Sequence, residues 1–244
     1  MCDEKTFADQ DAAPRPPGHL TRREFGVLTA TGAVGTGLGV LYSDPARGAA
    51  DAGLVERDVL IETPDGQADG YFVHPADGPH PGVLLWPDAF GLRTAMRQMA
   101  ARLAASGYAV LAVNPYYRKT RAPILPDGAD FTDPDTRKTI MSMMSSLDAG
   151  THEADARSFV DYLDAQPAVA KDRKLGTMGY CMGGPITMRT AAARPDRIGA
   201  AASFHGGRLV TDAPDSPHLR VPEMKAQYLF AIAANDDEAE PHVK

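Results

Sequence analysis

The segment of this 244-residue sequence best suited to chemistry is Gly179-Tyr180-Cys181-Met182-Gly183-Gly184. It has the form G-x-nucleophile-x-G, with cysteine at the nucleophile position. Such a motif holds its nucleophile on a strained turn between a strand and a helix. Glycines flank it because a side chain there would strike neighbouring backbone. A thiol at that point faces a helix N-terminus, whose dipole and open N–H groups favour the thiolate. The Met182 N–H is then placed to stabilise an oxyanion, and the chemistry is acyl transfer through a covalent intermediate. The competing reading is a buried, inert cysteine in a glycine-rich turn. An apolar strand before Cys181 and a helix after it favour the nucleophile.

The elements that must position this turn alternate along the chain from about residue 55. Residues 57–63 and 68–74 read as two strands joined by the turn signal Pro64-Asp65-Gly66. Residues 82–86 and 108–113 are apolar throughout, as buried parallel strands are. Between them Leu92, Met96, Met99 and Leu103 repeat at helical spacing, and Gly107 closes the helix. A loop with three prolines covers 114–132, and Asp133-Pro134 signals a helix start. That helix carries Met141, Met143 and Met144, a stripe read as core packing in preference to a lid. A further helix over about 151–163 precedes the strand 175–180. Then come the elbow, a helix over 185–193, and strands at 199–204 and 227–234. The pattern predicts an α/β fold of the α/β-hydrolase type, a mostly parallel sheet with helices on both faces.

That fold gives other segments expected roles. Trp86-Pro87-Asp88-Ala89-Phe90-Gly91-Leu92 follows the third strand, where the second oxyanion N–H is supplied, and Ala89 is the candidate donor. Asp88 either points toward the nucleophile or caps the helix beginning near Leu92. Chain order in this fold is nucleophile, acid, histidine. Asp236 suits the acid that orients a histidine, with Asp237 as its rival and a solvated acidic turn as the alternative. Asn114-Pro115-Tyr116-Tyr117-Arg118-Lys119 leaves the sheet at the edge where ligands gather. Tyr117 and Arg118 are candidates for a substrate carboxylate, against the alternative of a solvated basic loop.

The N-terminus has a different character. Residues 1–20 are polar and proline-rich. Thr21-Arg22-Arg23-Glu24-Phe25 opens a mildly apolar, uncharged stretch to Tyr42, and small residues follow at 46–50. This order resembles a twin-arginine export signal cut near Ala50. It divides the chain into a signal segment, 1–50, and a hydrolase-fold domain, 51–244. It also predicts a periplasmic or extracellular location after transient contact with the export machinery, with a cytoplasmic location as the alternative. Gly35, Gly37 and Gly39 miss the spacing of a nucleotide loop. The net charge of −7 argues against a nucleic-acid surface. With Cys2 in the segment expected to be removed, Cys181 has no internal disulfide partner.

Taken together, P-D-A-F-G-L at 87–92, G-Y-C-M-G-G at 179–184, S-F-H-G-G at 203–207 and A-N-D-D at 234–237 resemble the dienelactone hydrolase family. The resemblance runs from about Val55 to the C-terminus, and the cysteine elbow is its specific part. It implies hydrolysis of a lactone or carboxylic ester, of dienelactone (carboxymethylenebutenolide) type, by a Cys–His–Asp triad without metal or organic cofactor. The partner is then a small-molecule substrate, the protein is expected to be a monomer, and His205 lines the pocket. Family members often carry glutamate where Asp88 stands, and that glutamate is thought to accept the thiol proton. The histidine should follow Asp236 by another helix and strand, a unit of about 30 residues. Only the tail to Lys244 follows, and His242 lies too close to the acid, so the domain reads as truncated at its C-terminus. The other readings are an inactive exported binding protein on the same scaffold and a thioesterase or peptidase of the same fold.

Overall fold

The structure, a computed structural model, describes residues 53–233. The expected signal segment, Asp236, Asp237 and His242 lie outside the described residues. The description begins with β1 (Leu54–Thr63) and β2 (Gly66–Pro75), an antiparallel hairpin in which Thr63 pairs with Gly66 across the Pro64-Asp65 turn. Gly66 has φ 120°, a conformation that L side chains rarely adopt, so a glycine is needed where the chain re-enters the ladder.

The remaining strands are β3 (Gly82–Trp86), β4 (Ala109–Val113), β5 (Leu175–Tyr180), β6 (Ile198–Phe204) and β7 (Gln227–Ala231). They form one seven-stranded sheet in the order β1-β2-β4-β3-β5-β6-β7. β2 pairs antiparallel with β4, and every pair from β4 to β7 is parallel. Among the described residues the α-helices are α1 (Thr94–Ala105), α2 (Pro134–Met144), α3 (Ala149–Ala165) and α4 (Gly183–Ala193). This is the mostly parallel, helix-covered α/β-hydrolase sheet that the sequence predicts.

The central strands explain their own composition. Every residue of β3 and β4 is buried, because both faces are covered. On one face Leu84, Trp86 and Leu111 pack with Phe159, Val160 and Leu163 of α3 and Ile186 of α4. On the other, Val83, Leu85 and Val110 pack with Met96, Ala100 and Ala104 of α1. β5 alternates instead: Leu175, Thr177 and Gly179 are buried, while Gly176, Met178 and Tyr180 are half-buried. At the edge strand β7, Leu229 and Phe230 are 55% and 43% exposed.

The helix starts follow local rules. Asp133 accepts the Thr136 N–H at the head of α2, with Pro134 in the first turn, as its sequence predicts. Asp148 and Thr151 form a reciprocal capping box at the head of α3, two residues earlier than the expected start. The methionine stripe is a correction. Only Ile140 of α2 is buried, and Met141 is 51% exposed. Met143 and Met144 are half-buried, so the three methionines border the core without forming it.

Candidate active site

The turn after β5 has the strained strand-to-helix backbone that its sequence predicts. Cys181 has φ 51°, the left-handed region, which costs a non-glycine residue on the order of 1–3 kcal/mol. Two backbone hydrogen bonds hold it there. The Cys181 N–H donates to the Phe204 carbonyl at 3.0 Å, and the Cys181 carbonyl accepts from the Gly184 N–H at 3.0 Å. The flanking glycines are steric necessities. A Cβ on Gly179 would lie 2.2 Å from the Gly183 carbonyl oxygen, and one on Gly183 would lie 2.7 Å from that of Trp86. The turn is therefore pressed against both its own helix and β3. The indole of buried Trp86 completes the joint by donating to Thr190 Oγ1 of α4 at 3.1 Å.

Gly184 brings a further segment to the same place. Its Cβ position lies 2.5 Å from Ser203 Oγ and 2.6 Å from the Gly206 Cα. The loop after β6 thus packs directly on the N-terminus of α4. His205 sits in that loop with φ 53°, an exposed side chain, and its N–H donating to the Ala231 carbonyl at 2.7 Å.

The loop after β3 faces the elbow. Its chain turns tightly: Asp88 Oδ1 accepts the Phe90 N–H at 3.0 Å, the Asp88 carbonyl accepts the Gly91 N–H at 2.9 Å, and Gly91 has φ 72°. Asp88 does not cap α1, whose N-cap is Arg93 without a side-chain bond. Its carboxylate instead takes a two-pronged ion pair from Arg93, at 2.6 Å on Oδ1 and 2.9 Å on Oδ2. Both carboxylate oxygens are thus engaged by that guanidinium. Among the described residues, neither the Ala89 N–H nor the Met182 N–H donates to a protein acceptor. Two open amides on the two sides of the elbow are what an oxyanion hole requires.

Sequence reasoning passed over Tyr116, which the structure puts between those two amides' residues. The side chain is fully buried. Its hydroxyl lies 2.9 Å from the Ala89 carbonyl oxygen, to which it donates, and 3.0 Å from Met182 Sδ. The Asn114 side-chain oxygen accepts the Tyr116 N–H at 3.0 Å, and Asn114 Nδ2 donates to Asp69 and to the Thr120 carbonyl. Burial pushes the Tyr116 pKa above its ordinary value, and the charges of Asp88 and Cys181 push it further, so the hydroxyl keeps its proton and acts as a donor. The available signal was position, three residues past the end of a buried parallel strand.

Tyr117 and Arg118, expected to bind a substrate carboxylate, are committed elsewhere. Tyr117 is 8% exposed, and its hydroxyl donates to Asp155 Oδ1 at 2.8 Å and meets Thr63 Oγ1 at 2.7 Å. Arg118 grips the Asp155 carboxylate through both terminal nitrogens, at 2.8 and 2.6 Å, and Asp65 through Nε at 2.8 Å. Its guanidinium stacks over the Tyr117 ring with 4.5 Å to the centroid. Burial opposes the Arg118 charge, and the bonds to Asp155 and Asp65 more than offset it, holding its pKa above the usual value. The carboxylate that Arg118 holds in this structure belongs to α3 of its own chain. Behind this cluster, His152 of α3 is buried with no hydrogen-bond partner for either ring nitrogen among the described residues.

Comparison with known proteins agrees with this geometry. The dienelactone hydrolase family matches residues 68–242. A carboxymethylenebutenolidase from Pseudomonas putida is 26% identical over 184 residues, covering 75% of this chain and 72% of the relative. A solved structure named m3DLH is 29% identical with a TM-score of 0.58, covering 75% of this chain and 70% of its own. The crystal structure of a dienelactone hydrolase from Anabaena variabilis superposes with a TM-score of 0.55 at 19% identity, over 74% of each chain, a likeness of fold.

Proposed function

This chain belongs to the dienelactone hydrolase family, and we propose that it cleaves a lactone or carboxylic ester, of dienelactone (carboxymethylenebutenolide) type, with Cys181 as nucleophile. The observation that carries the reading is the left-handed Cys181 backbone, walled by Gly179 and Gly183 at the junction of β5 and α4. A strained turn of this kind serves to lift a nucleophile out of the sheet.

In the proposed reaction the Cys181 thiolate attacks the acyl carbonyl. Negative charge gathers on the carbonyl oxygen between the Ala89 and Met182 N–H groups, and removing one such donor typically costs about 10²–10³ in rate. The C–O bond then breaks, the leaving oxygen takes a proton, and the acyl group remains on sulfur as a thioester. Asp88 is the candidate to receive the thiol proton and pass it to the leaving oxygen, once Arg93 releases one of its carboxylate oxygens. Release of the acyl group needs water and a general base. The family resemblance assigns that base to a histidine oriented by Asp236, outside the described residues. His205 is proposed to line the substrate pocket.

The test is stoichiometric. The intact protein is mixed with p-nitrophenyl acetate and with a panel of lactones, esters and thioesters, and the acyl adduct is followed by mass and p-nitrophenolate release. One acyl group on the peptide holding Cys181, lost in Cys181→Ala, is the expected result. A Cys181→Ala variant that reacts as fast as the intact protein sinks the proposal, and reaction with thioesters alone would move it to a thioesterase. Export is proposed on residues 21–50. Mass measurement of the protein from its native host is expected to show cleavage near Ala50, and an uncut N-terminus there overturns it.

A further inference from the structure

We infer that Tyr116 is a positioning residue whose hydroxyl ties together the two backbone segments that form the oxyanion hole. The inference rests on the reading of Cys181 as an acyl-accepting nucleophile.

The two amides in question lie far apart in sequence, Ala89 after β3 and Met182 after Cys181. They belong to separate loops with separate conformational freedom. An oxyanion hole works because its donors are fixed before charge develops, so reorganisation costs nothing at the moment of reaction. Something must hold the loops in mutual register. The Tyr116 hydroxyl touches both: it donates to the Ala89 carbonyl at 2.9 Å and meets Met182 Sδ at 3.0 Å. Fixing the Ala89 carbonyl fixes the residue whose own N–H is the donor. Fixing the thioether anchors the side chain next to the other N–H.

The tie is itself anchored. Tyr116 is fully buried, so its ring cannot swing away without opening the core. Its ring lies against Gly91, where a Cβ would be 3.2 Å from ring carbon Cδ2. That contact seats the same loop from behind. Its backbone N–H is held by Asn114, which is bonded in turn to Asp69 of β2 and to Thr120. The register of the oxyanion hole is thereby referred to β2 and to the loop after β4. Tyr116 makes no contact with the substrate in this role. It acts through Ala89 and Met182.

The experiment exploits two reactions of one thiol. Acylation of Cys181 by p-nitrophenyl acetate passes through a tetrahedral oxyanion. Alkylation by iodoacetamide attacks a saturated carbon and forms none, so it reports thiolate content and access alone. Tyr116→Phe keeps the ring and deletes the hydroxyl. The expected result is an acylation rate lowered roughly tenfold, less than the loss of a whole donor, with the iodoacetamide rate within about twofold and the thermal midpoint little changed. Equal losses in both reactions would mean that Tyr116 only packs the site, and unchanged acylation would mean that the hydroxyl holds nothing; either overturns the inference while leaving the nucleophile assignment standing. Absence of Cys181 acylation in the intact protein overturns both. Met182→Leu, which removes the sulfur and keeps the bulk, is expected to reproduce part of the acylation loss without affecting alkylation.

Discussion

Tyr116 and Tyr117 are consecutive, both buried, and both hydrogen-bonded through their hydroxyls, yet they serve two regions of different character. Tyr116 turns toward the elbow and meets backbone and a thioether from the β3 and β5 loops. Tyr117 turns toward the first hairpin and α3, where it joins Thr63, Asp65, Arg118 and Asp155. In the first region the polar groups of the loops are left with open donors. In the second the polar groups are consumed by one another. The difference teaches where function is kept: a site needs unspent hydrogen-bonding capacity held rigidly, whereas a structural cluster closes on itself.

The comparison can be broken or sharpened by substitution. The largest effect is expected at Asp155, whose side chain is 1% exposed. Asp155→Ala leaves the Arg118 charge without its principal partner and is expected to cost about 3–5 kcal/mol, read from the urea midpoint. Acylation per folded molecule should not change. A fall in that rate would show that the cluster belongs to the site after all. Gly183→Ala is the reverse case. Its new Cβ meets the Trp86 and Pro87 carbonyl oxygens at 2.7 and 2.8 Å, so the elbow must shift, and acylation is expected to fall by about 10²-fold, or about 2.7 kcal/mol in barrier. Unchanged acylation would show that the elbow backbone is not under the constraint described.

His152 gives the structural region a pH signature. Burial, with the Arg189 charge beside it, pushes its pKa down to about 3 from 6.5. Between those values the unfolded chain binds a proton that the native chain does not. Stability is therefore full above pH 6.5 and is lost as pH falls toward 3, at up to about 1.4 kcal/mol per pH unit from this residue alone. A His152→Phe variant is expected to show a shallower acid slope than the parent in urea titrations between pH 6.5 and 4, and parallel slopes would refute the assignment. The smallest effect is expected at Tyr117→Phe, about 1 kcal/mol of stability for a lost hydrogen bond, with acylation unchanged. Set beside Tyr116→Phe, it makes neighbouring tyrosines report separately on folding and on chemistry.

What was legible in the sequence was local. The hairpin at Pro64-Asp65, the Asp133 cap, the apolar runs of β3 and β4 and the glycine-flanked Cys181 each depend on residues within a few positions of one another. Backbone sterics and periodicity speak through such short spans. Asp88 shows the limit even at short range. A carboxylate there had a thiol, a helix N-terminus and a guanidinium within reach, and only the folded loop chose Arg93.

The sequence by itself determined that an α/β sheet would carry a cysteine on a strained turn, because that turn can be built only by the residues that spell it. Tertiary structure decided the rest: that Arg118 would spend its charge on Asp155, that the α2 methionines would stay largely out of the core, and that Tyr116 would span Ala89 and Met182. These outcomes depend on which side chains arrive together from distant segments. Burial makes each choice binding, since a polar group taken from water must find a partner among whatever the fold brings to it.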